Sequence, residues 1–319
     1  MRHSHRFAGN PLDRGEQERR DEAWIEAVAR DDASRFLPFR ELEVLVADHS
    51  SSEVRRAHPQ PRLGWLRTDQ LRSVAPDARP MLLGMLEGVA HFAVDLSDCD
   101  TAVAWAEGQD PPWRFEDCRA AGTVLAAAET GILAQARSQL DWHARHGFCS
   151  VCGRPTDSKR GGQVRECTAC GAQHFPRTDP VVITVVGDAD TDRCLLGQSR
   201  GRLSRLRMYS ALAGFVDQGE AIEEAVAREV MEEAGIRVKN VRYHSSQPWP
   251  FPCSLMIGCL AEAASTTIRK DDEEMSDVRW FDRREVLLAL EEQSERLTVP
   301  GPIAIAHHLI KAWATQEGL

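Results

Sequence analysis

GFVDQGEAIEEAVAREVMEEAGI, running from Gly214 to Ile236, is a glycine-bounded turn, a strong helix former and a glycine stop. Ile222, Val226 and Val230 recur every four residues, which predicts one apolar face over Ala221 to Ala234, and Gly235 suits a left-handed C-terminal cap. At 100° per residue, Glu232 and Glu233 fall on either side of Glu229 within an arc of about 100°. Like charges so spaced repel, and carboxylates near a helix C-terminus oppose the macrodipole. Arg228 offsets only part of this. A hard divalent cation such as Mg²⁺ or Mn²⁺ would offset the rest, because carboxylate oxygens suit it. The alternative at this point is a solvated acidic face.

Ten residues further on, Ser246-Gln247-Pro248-Trp249-Pro250-Phe251-Pro252-Cys253-Ser254 alternates proline with larger side chains. Proline forbids helix and holds its predecessor extended, so Gln247, Trp249 and Phe251 are expected to project to one side. Such a strip suits stacking on a base and reading its edge; a Pro-rich packing loop or a partner-binding peptide is the alternative. Upstream, Arg200, Arg202, Arg205 and Arg207 crowd into eight residues. They are either a solvated loop or a local positive field for the phosphates of a long substrate.

Cys149-Ser-Val-Cys152-Gly153 and Cys167-Thr-Ala-Cys170-Gly171 are two matching knuckles with 14 residues between the inner cysteines. Each places two thiolates on one tight turn, and the glycine lets the backbone fold back towards the sulfurs. One structural zinc per chain is expected on Cys149, Cys152, Cys167 and Cys170. Four thiolates leave no open coordination position, so no catalysis is assigned there. The other five cysteines, Cys99, Cys118, Cys194, Cys253 and Cys259, show no ligand spacing and read as small hydrophobes.

Before residue 145 no chemical motif stands out. Glu43 to Ala47 and His91 to Leu96 read as strands, with turns around His58 to Arg62 and Ala75 to Pro80. Ala120 to Arg145 reads as one helix, with Val124, Ala128, Ile132, Ala136 and Leu140 forming a buried stripe. An α+β chain follows, with an α/β or β-rich unit and helical connector over residues 1–145, a zinc ribbon over 146–174 and a strand-rich α/β unit over 175–319. At 319 residues the chain exceeds one ordinary core. Its 39 Lys+Arg against 49 Asp+Glu leave a net charge of −10, which disfavours a general nucleic-acid coat or a binder of anionic membranes. Nothing near the start resembles a signal peptide and no apolar run reaches membrane length, so a cytoplasmic location is expected.

The string G-x5-E-x7-R-E-V-x-E-E-x-G-I from Gly214 resembles the signature of the Nudix hydrolases at every defined position. SQPWPFPxS, the ribbon and Phe175-Pro176-Arg177 together resemble one branch, the NADH pyrophosphatases, which also remove NAD caps from RNA. The resemblance implies an α/β/α sandwich with a mixed sheet over residues 175–319, a Nudix-like N-terminal domain, and metal-dependent hydrolysis of NAD(H) to NMN(H) and AMP. It implies Glu229, Glu232, Glu233 and Glu274 as Mg²⁺ or Mn²⁺ ligands, the first three catalytic, with Arg228 orienting a glutamate. It also implies a homodimer in which Phe175, where the family usually has Tyr, and Phe215 sandwich the nicotinamide, with Gln247, Trp249, Ser254, Met256 and Ala306 in the pocket. Two rivals remain open: a Nudix hydrolase of ADP-ribose or dinucleoside polyphosphates, and a zinc-ribbon nucleic-acid regulator that uses a Nudix domain as a sensor.

Overall fold

The computed structural model describes residues 5–47, 61–110 and 112–316; the turn expected around His58 to Arg62 lies outside those residues as far as residue 60, as does the side chain of Arg202. The chain divides into two compact units. One holds Arg6–Arg177 and Pro250–Cys253. The other holds Thr178–Trp249 and the chain from Ser254 onward, together with His5.

In the first unit, strands β1 (Arg35–Arg40), β2 (Glu43–Ala47), β3 (Arg62–Leu63), β4 (Met81–Leu86), β5 (Val89–Asp95) and β6 (Trp113–Glu116) form a sheet of order β3-β2-β1-β5-β4, with β6 also on β2. β1 and β5 run parallel with Phe36 opposite Phe92, whose rings stack at 5.2 Å inside the core. Helices α1 (Glu22–Val28), α2 (Thr68–Val74), α3 (Ala102–Glu107), α4 (Cys118–Val124) and α5 (Ala127–Arg145) accompany the sheet. The single helix expected over Ala120 to Arg145 is therefore broken. Leu125 and Ala126 are extended, at ψ 156° and 151°; Leu125 is buried, and its carbonyl accepts from Arg6 Nη1 at 2.5 Å. With the break, Val124 and Ala128 turn outward, and α5 buries Ile132, Leu133, Ala136 and Leu140 instead.

The cysteine segment adds β7 (Thr156–Lys159), β8 (Val164–Cys167) and β9 (Gln173–His174), in that order in a small antiparallel sheet. A 3₁₀ turn at Arg160–Gly162 joins the first two. Gly162 needs its φ of +94° and its missing side chain, since a Cβ would come within 2.8 Å of Gln139. Buried Arg19 fastens the turn to the larger sheet by donating to the carbonyls of Arg160 and Gly161, at 3.2 and 3.3 Å, and to that of Leu82 at 2.6 Å.

The second unit carries β10 (Asp179–Asp188), β11 (Arg193–Ser199), α6 (Arg202–Arg205), β12 (Leu212–Phe215), α7 (Ile222–Ala234), β13 (Val238–Trp249), β14 (Ser254–Ala263), β15 (Met275–Asp282), α8 (Arg283–Leu290) and α9 (Ile305–Thr315). The sheet order is β13-β14-β10-β11-β15, with β12 also on β10. β10 and β14 run parallel and the other neighbours antiparallel, so the sheet is mixed. Strand alternation sends Val182 and Val186 to a core shared with Ala225, Val226 and Val230 of α7. Ile183 and Val185 face the opposite core, built with Val286 of α8 and Leu309 and Ile310 of α9. Helices on both faces make the α/β/α sandwich.

Leu309→Ala, at a fully buried site, should destabilise this unit by about 2–5 kcal/mol, while Leu287→Ala on the exposed side of α8 stays within about 0.5 kcal/mol. Denaturant midpoints of the two variants check this. Equal midpoints would mean that α9 does not pack as described.

Candidate active site

Helix α7 buries Ala225, Val226, Val230 and Ala234 and ends at Gly235 (φ +67°), whose N–H bonds the Met231 carbonyl at 2.9 Å. With that face committed to the core, its glutamates line the other side. Arg228 organises them. Its guanidinium donates to Glu220 at 2.6 and 2.8 Å, to Glu229 at 2.8 Å, to Glu232 at 2.9 Å and to the Phe215 carbonyl at 2.8 Å. The two bonds to Glu220 are the bidentate, charge-assisted kind. With the Asp217 N–H they hold the Glu220 carboxyl down at about 2. Residue 214 is glycine for a local reason: a Cβ there would lie 1.9 Å from the Glu229 carboxylate carbon.

Glu233 is buried, and its Oε2 has no hydrogen-bond partner among the described residues. Burial, followed by the charges of Glu229 and Glu274, pushes its carboxyl up to about 8; the Ala213 N–H opposes this only in part. Glu229 is also raised, chiefly by burial. Of the adjacent pair Glu273 and Glu274, it is Glu274 whose charge acts on both Glu229 and Glu233. Its backbone carbonyl accepts from the Arg200 N–H at 2.8 Å. No three of these carboxylates lie within 4.8 Å of one another; among the described residues only the cysteine quartet does. Like charges repel, and Arg228 draws Glu229 and Glu232 towards itself. A buried orphan carboxylate oxygen among converging like charges still makes an oxygen donor set that fits a hard divalent cation.

In the same unit a pocket of about 260 Å³ is lined by Trp249, Met256 and Ala306, all expected there. Sequence reading missed its other walls: Leu203, Leu206 and Met208, which alternate with the arginines, and the loop Pro300–Ala304. Gln247 lines it too but is fully buried, donating from Nε2 to the Ile303 carbonyl at 2.8 Å while its Oε1 accepts from the Ile305 N–H at 2.7 Å. Its amide thus braces the loop, contrary to the expected reading of a base edge. Ser254 and Phe215 do not line this pocket. Ser254 pairs in register with Trp249, and the Phe215 ring stands 58% exposed. Phe175 belongs to the other unit and is 62% exposed. Phe251 leaves the expected strip: β13 stops at Trp249, and the Phe251 ring lies under the guanidinium of Arg119 at 4.0 Å and edge-on to Phe7.

In the cysteine quartet the Cys149–Cys170 and Cys152–Cys167 sulfurs are 3.7 and 3.4 Å apart, near the edge of about 3.8 Å expected for a tetrahedron with metal–sulfur bonds of 2.3 Å. Gly153 and Gly171, at φ +72° and +70°, each return an N–H to the first cysteine's carbonyl of their knuckle. The amides of Val151 and Ala169 donate to the thiols of Cys149 and Cys167, both at 3.4 Å. The quartet fits a closed tetrahedral shell for a zinc ion.

Three domain families match the chain: a NUDIX domain over residues 177–300, an NADH pyrophosphatase-like rudimentary NUDIX domain over 33–142, and an NADH pyrophosphatase zinc ribbon domain over 144–175. The chain is 38% identical over 338 residues to the NAD-capped RNA hydrolase NUDT12 of Homo sapiens, covering 96% of this chain and 72% of that one. It is 33% identical to the NAD-capped RNA hydrolase of Schizosaccharomyces pombe, covering 98% and 93%. It is 41% identical to the mitochondrial NAD(P)H pyrophosphatase NUDT13 of Mus musculus, covering 62% and 59%.

Glu233 supplies a pH test. Its carboxyl is raised in the folded state from the ordinary 4.5 to about 8, so on raising the pH the unfolded chain loses this proton first. The stability it contributes is complete below about 4.5 and is lost as the pH climbs to about 8. Metal-free protein should weaken across that window, and Glu233→Gln should flatten the decline while cutting turnover more than about 100-fold. Urea midpoints against pH and steady-state rates check both halves. A variant with parental turnover would remove Glu233 from the reaction.

Proposed function

The chain belongs to the Nudix hydrolase family, and from that membership we propose that it hydrolyses the pyrophosphate bond of NAD(H), giving NMN(H) and AMP, and removes the NAD cap from the 5′ end of RNA. The observation that carries this reading is the buried, orphaned carboxylate of Glu233 set among Glu229, Glu274 and the Arg228 network, in one unit with an apolar pocket walled by Trp249. A pyrophosphate is anionic on both sides of its bridge and repels a water nucleophile. It cannot approach bare carboxylates.

Glu229, Glu233 and Glu274 would hold Mg²⁺ or Mn²⁺, with Glu232 as a further ligand or a base for water. When bound, the cation supplies neutralisation of the phosphate oxygens and a lowered pKa for water. Arg228 holds Glu229 and Glu232 in orientation while its bidentate pair with Glu220 fixes the guanidinium itself. Gly214 lets the Glu229 carboxylate lie flat against β12. Trp249, Met256 and Ala306 offer a dry surface to a base, and Gln247 sets the opposite wall through its two backbone bonds. The proposed division of labour gives chemistry to residues 175–319, structural zinc to 146–174, and dimer formation to 1–145. The homodimer completes the nicotinamide clamp by bringing Phe175 of one protomer to Phe215 of its partner. A cytoplasmic, reducing setting suits zinc-bound thiolates and the remaining five cysteines, which form no disulfide among the described residues.

Incubation with NADH and with 5′-NAD-capped RNA, under Mg²⁺ or Mn²⁺ in turn, should release NMNH from the first and a 5′-monophosphate RNA from the second. ADP-ribose turned over faster than NADH would favour the rival nucleotide specificity instead. The shared clamp has its own test. Stacking on a base contributes about 1–3 kcal/mol, so Phe175→Ala should weaken NADH hydrolysis by about 5- to 150-fold and spare a diphosphate substrate lacking nicotinamide. Mixed with Glu233→Gln protein, it should regain activity above either variant alone, because one hybrid site combines intact Glu233 with intact Phe175. Demonstrated subunit exchange without recovery would return Phe175 to ordinary packing.

A further inference from the structure

The segment from Arg200 to Met208 ties together the two parts of the site. At one end the Arg200 N–H bonds the Glu274 carbonyl and its Nε bonds the Asp272 carbonyl, both at 2.8 Å. That end is therefore joined to the glutamate whose charge reaches Glu229 and Glu233. Towards the other end Leu203, Leu206 and Met208 wall the apolar pocket. The segment thus touches both the Glu274 backbone and the apolar pocket, where a substrate with its diphosphate at the glutamates and a base in the pocket would meet it.

Between those apolar side chains stand Arg205 and Arg207, both exposed. Arg205 bonds only the Gly201 carbonyl through Nε, at 3.2 Å, and among the described residues neither guanidinium pairs with a carboxylate. Arg207 sits at φ +53°, a backbone conformation that L side chains adopt at some expense. Arg200 differs from them, because its Nε is bonded to the Asp272 carbonyl and its charge acts on the Asp272 carboxylate. In a molecule of net charge −10, a polyanion is repelled overall and needs a local positive field to dock.

Resting on the proposed function, we infer that Arg205 and Arg207 form a phosphate-reading rim that engages the RNA chain of a capped substrate and distinguishes it from free NAD(H). Free NAD(H) carries only the diphosphate, which the glutamate centre already serves. An RNA adds one phosphate per nucleotide, and flexible arginine side chains beside the pocket mouth meet that backbone without reading its sequence.

For single strands each phosphate contact contributes about 0.7 to the slope of log affinity against log salt. The double variant R205A/R207A should therefore flatten the salt dependence of kcat/KM for a short single-stranded 5′-NAD-capped RNA by about 1.4, and lower its value several-fold at low salt, with NADH unchanged within about twofold. R205K/R207K, which keeps the charges, should retain most of the slope. An RNA slope unchanged in R205A/R207A, or an equal loss on NADH and RNA, overturns the inference while leaving the proposed function standing. A parent enzyme that cleaves NADH and not capped RNA is the separate result that removes the RNA half of that function, and this rim with it.

Discussion

One guanidinium, that of Arg228, donates to three carboxylates and a backbone carbonyl, and the acidic helix face depends on it. Without it Glu220, Glu229 and Glu232 would repel one another across a single helical turn and the preceding loop. With it, the end of β12 at Phe215 and the loop bearing Glu220 are bound to α7, and Glu229 is presented against Gly214 of β12. Glu233 is left out of this pairing. The core side of α7 is already filled by valine and alanine, and the Arg228 bonds lie elsewhere, so its carboxylate remains buried with one oxygen unserved among the described residues. The site is thus compensated on one flank and deliberately uncompensated on the other.

The sheet makes this asymmetry possible. β10 contributes alternate residues to two separate cores, so α7 can be held rigidly on one face while α8 and α9 stabilise the other. β12 and β14 pair with opposite edges of β10. That places Gly214, on the carboxylate side, and Met256, on the pocket side, both opposite the start of that strand. Helix α7 and β12 therefore carry Glu229 and Glu233, whereas part of the pocket wall comes from the short α6 with its flanking turns and from the loop at Pro300 to Ala304. Gln247 compensates for the second of these by burying a complete amide against its backbone.

Much of this was legible from residues alone. The 3.6-residue period of Ile222, Val226 and Val230, the glycine stop and the paired CxxCG knuckles each have a direct mechanical meaning, and the structure places all of them as read. The helix break at Leu125 was not legible, because no proline or capping side chain marks it and Gly122, three residues earlier, lies inside α4; a tertiary bond from Arg6, more than a hundred positions away, takes the carbonyl. Phe251 misled for a similar reason. Alternating prolines do extend the chain, but the strand ends at Trp249, and Arg119 and Arg137 claim the next aromatic ring. The role of Gln247 depended on a loop some 56 positions later, which local pattern cannot anticipate. Leu203, Leu206 and Met208 were legible in principle, since they alternate with arginine, but the eye follows the charges.

The two donor sets of this chain, four thiolates and a group of carboxylates, differ in chemical type as well as in sequence position. Four thiolates with amide N–H groups directed at them, closed by glycine turns, select a soft or borderline ion and leave it no vacant position. Carboxylates that repel one another select a hard ion and leave room for phosphate oxygens and water. Thiolates discriminate against Mg²⁺ and Mn²⁺, whereas carboxylates also accept zinc, so selection at an oxygen site depends on geometry and on which ion is available. Zinc on the ribbon would accordingly contribute its binding energy to the fold, while on the proposed reading a divalent ion at the glutamates would relieve the repulsion around Glu233. The strain at that carboxylate is tolerable because the Arg19 bonds and the three hydrophobic cores described above stabilise the chain without using the Glu233 carboxylate.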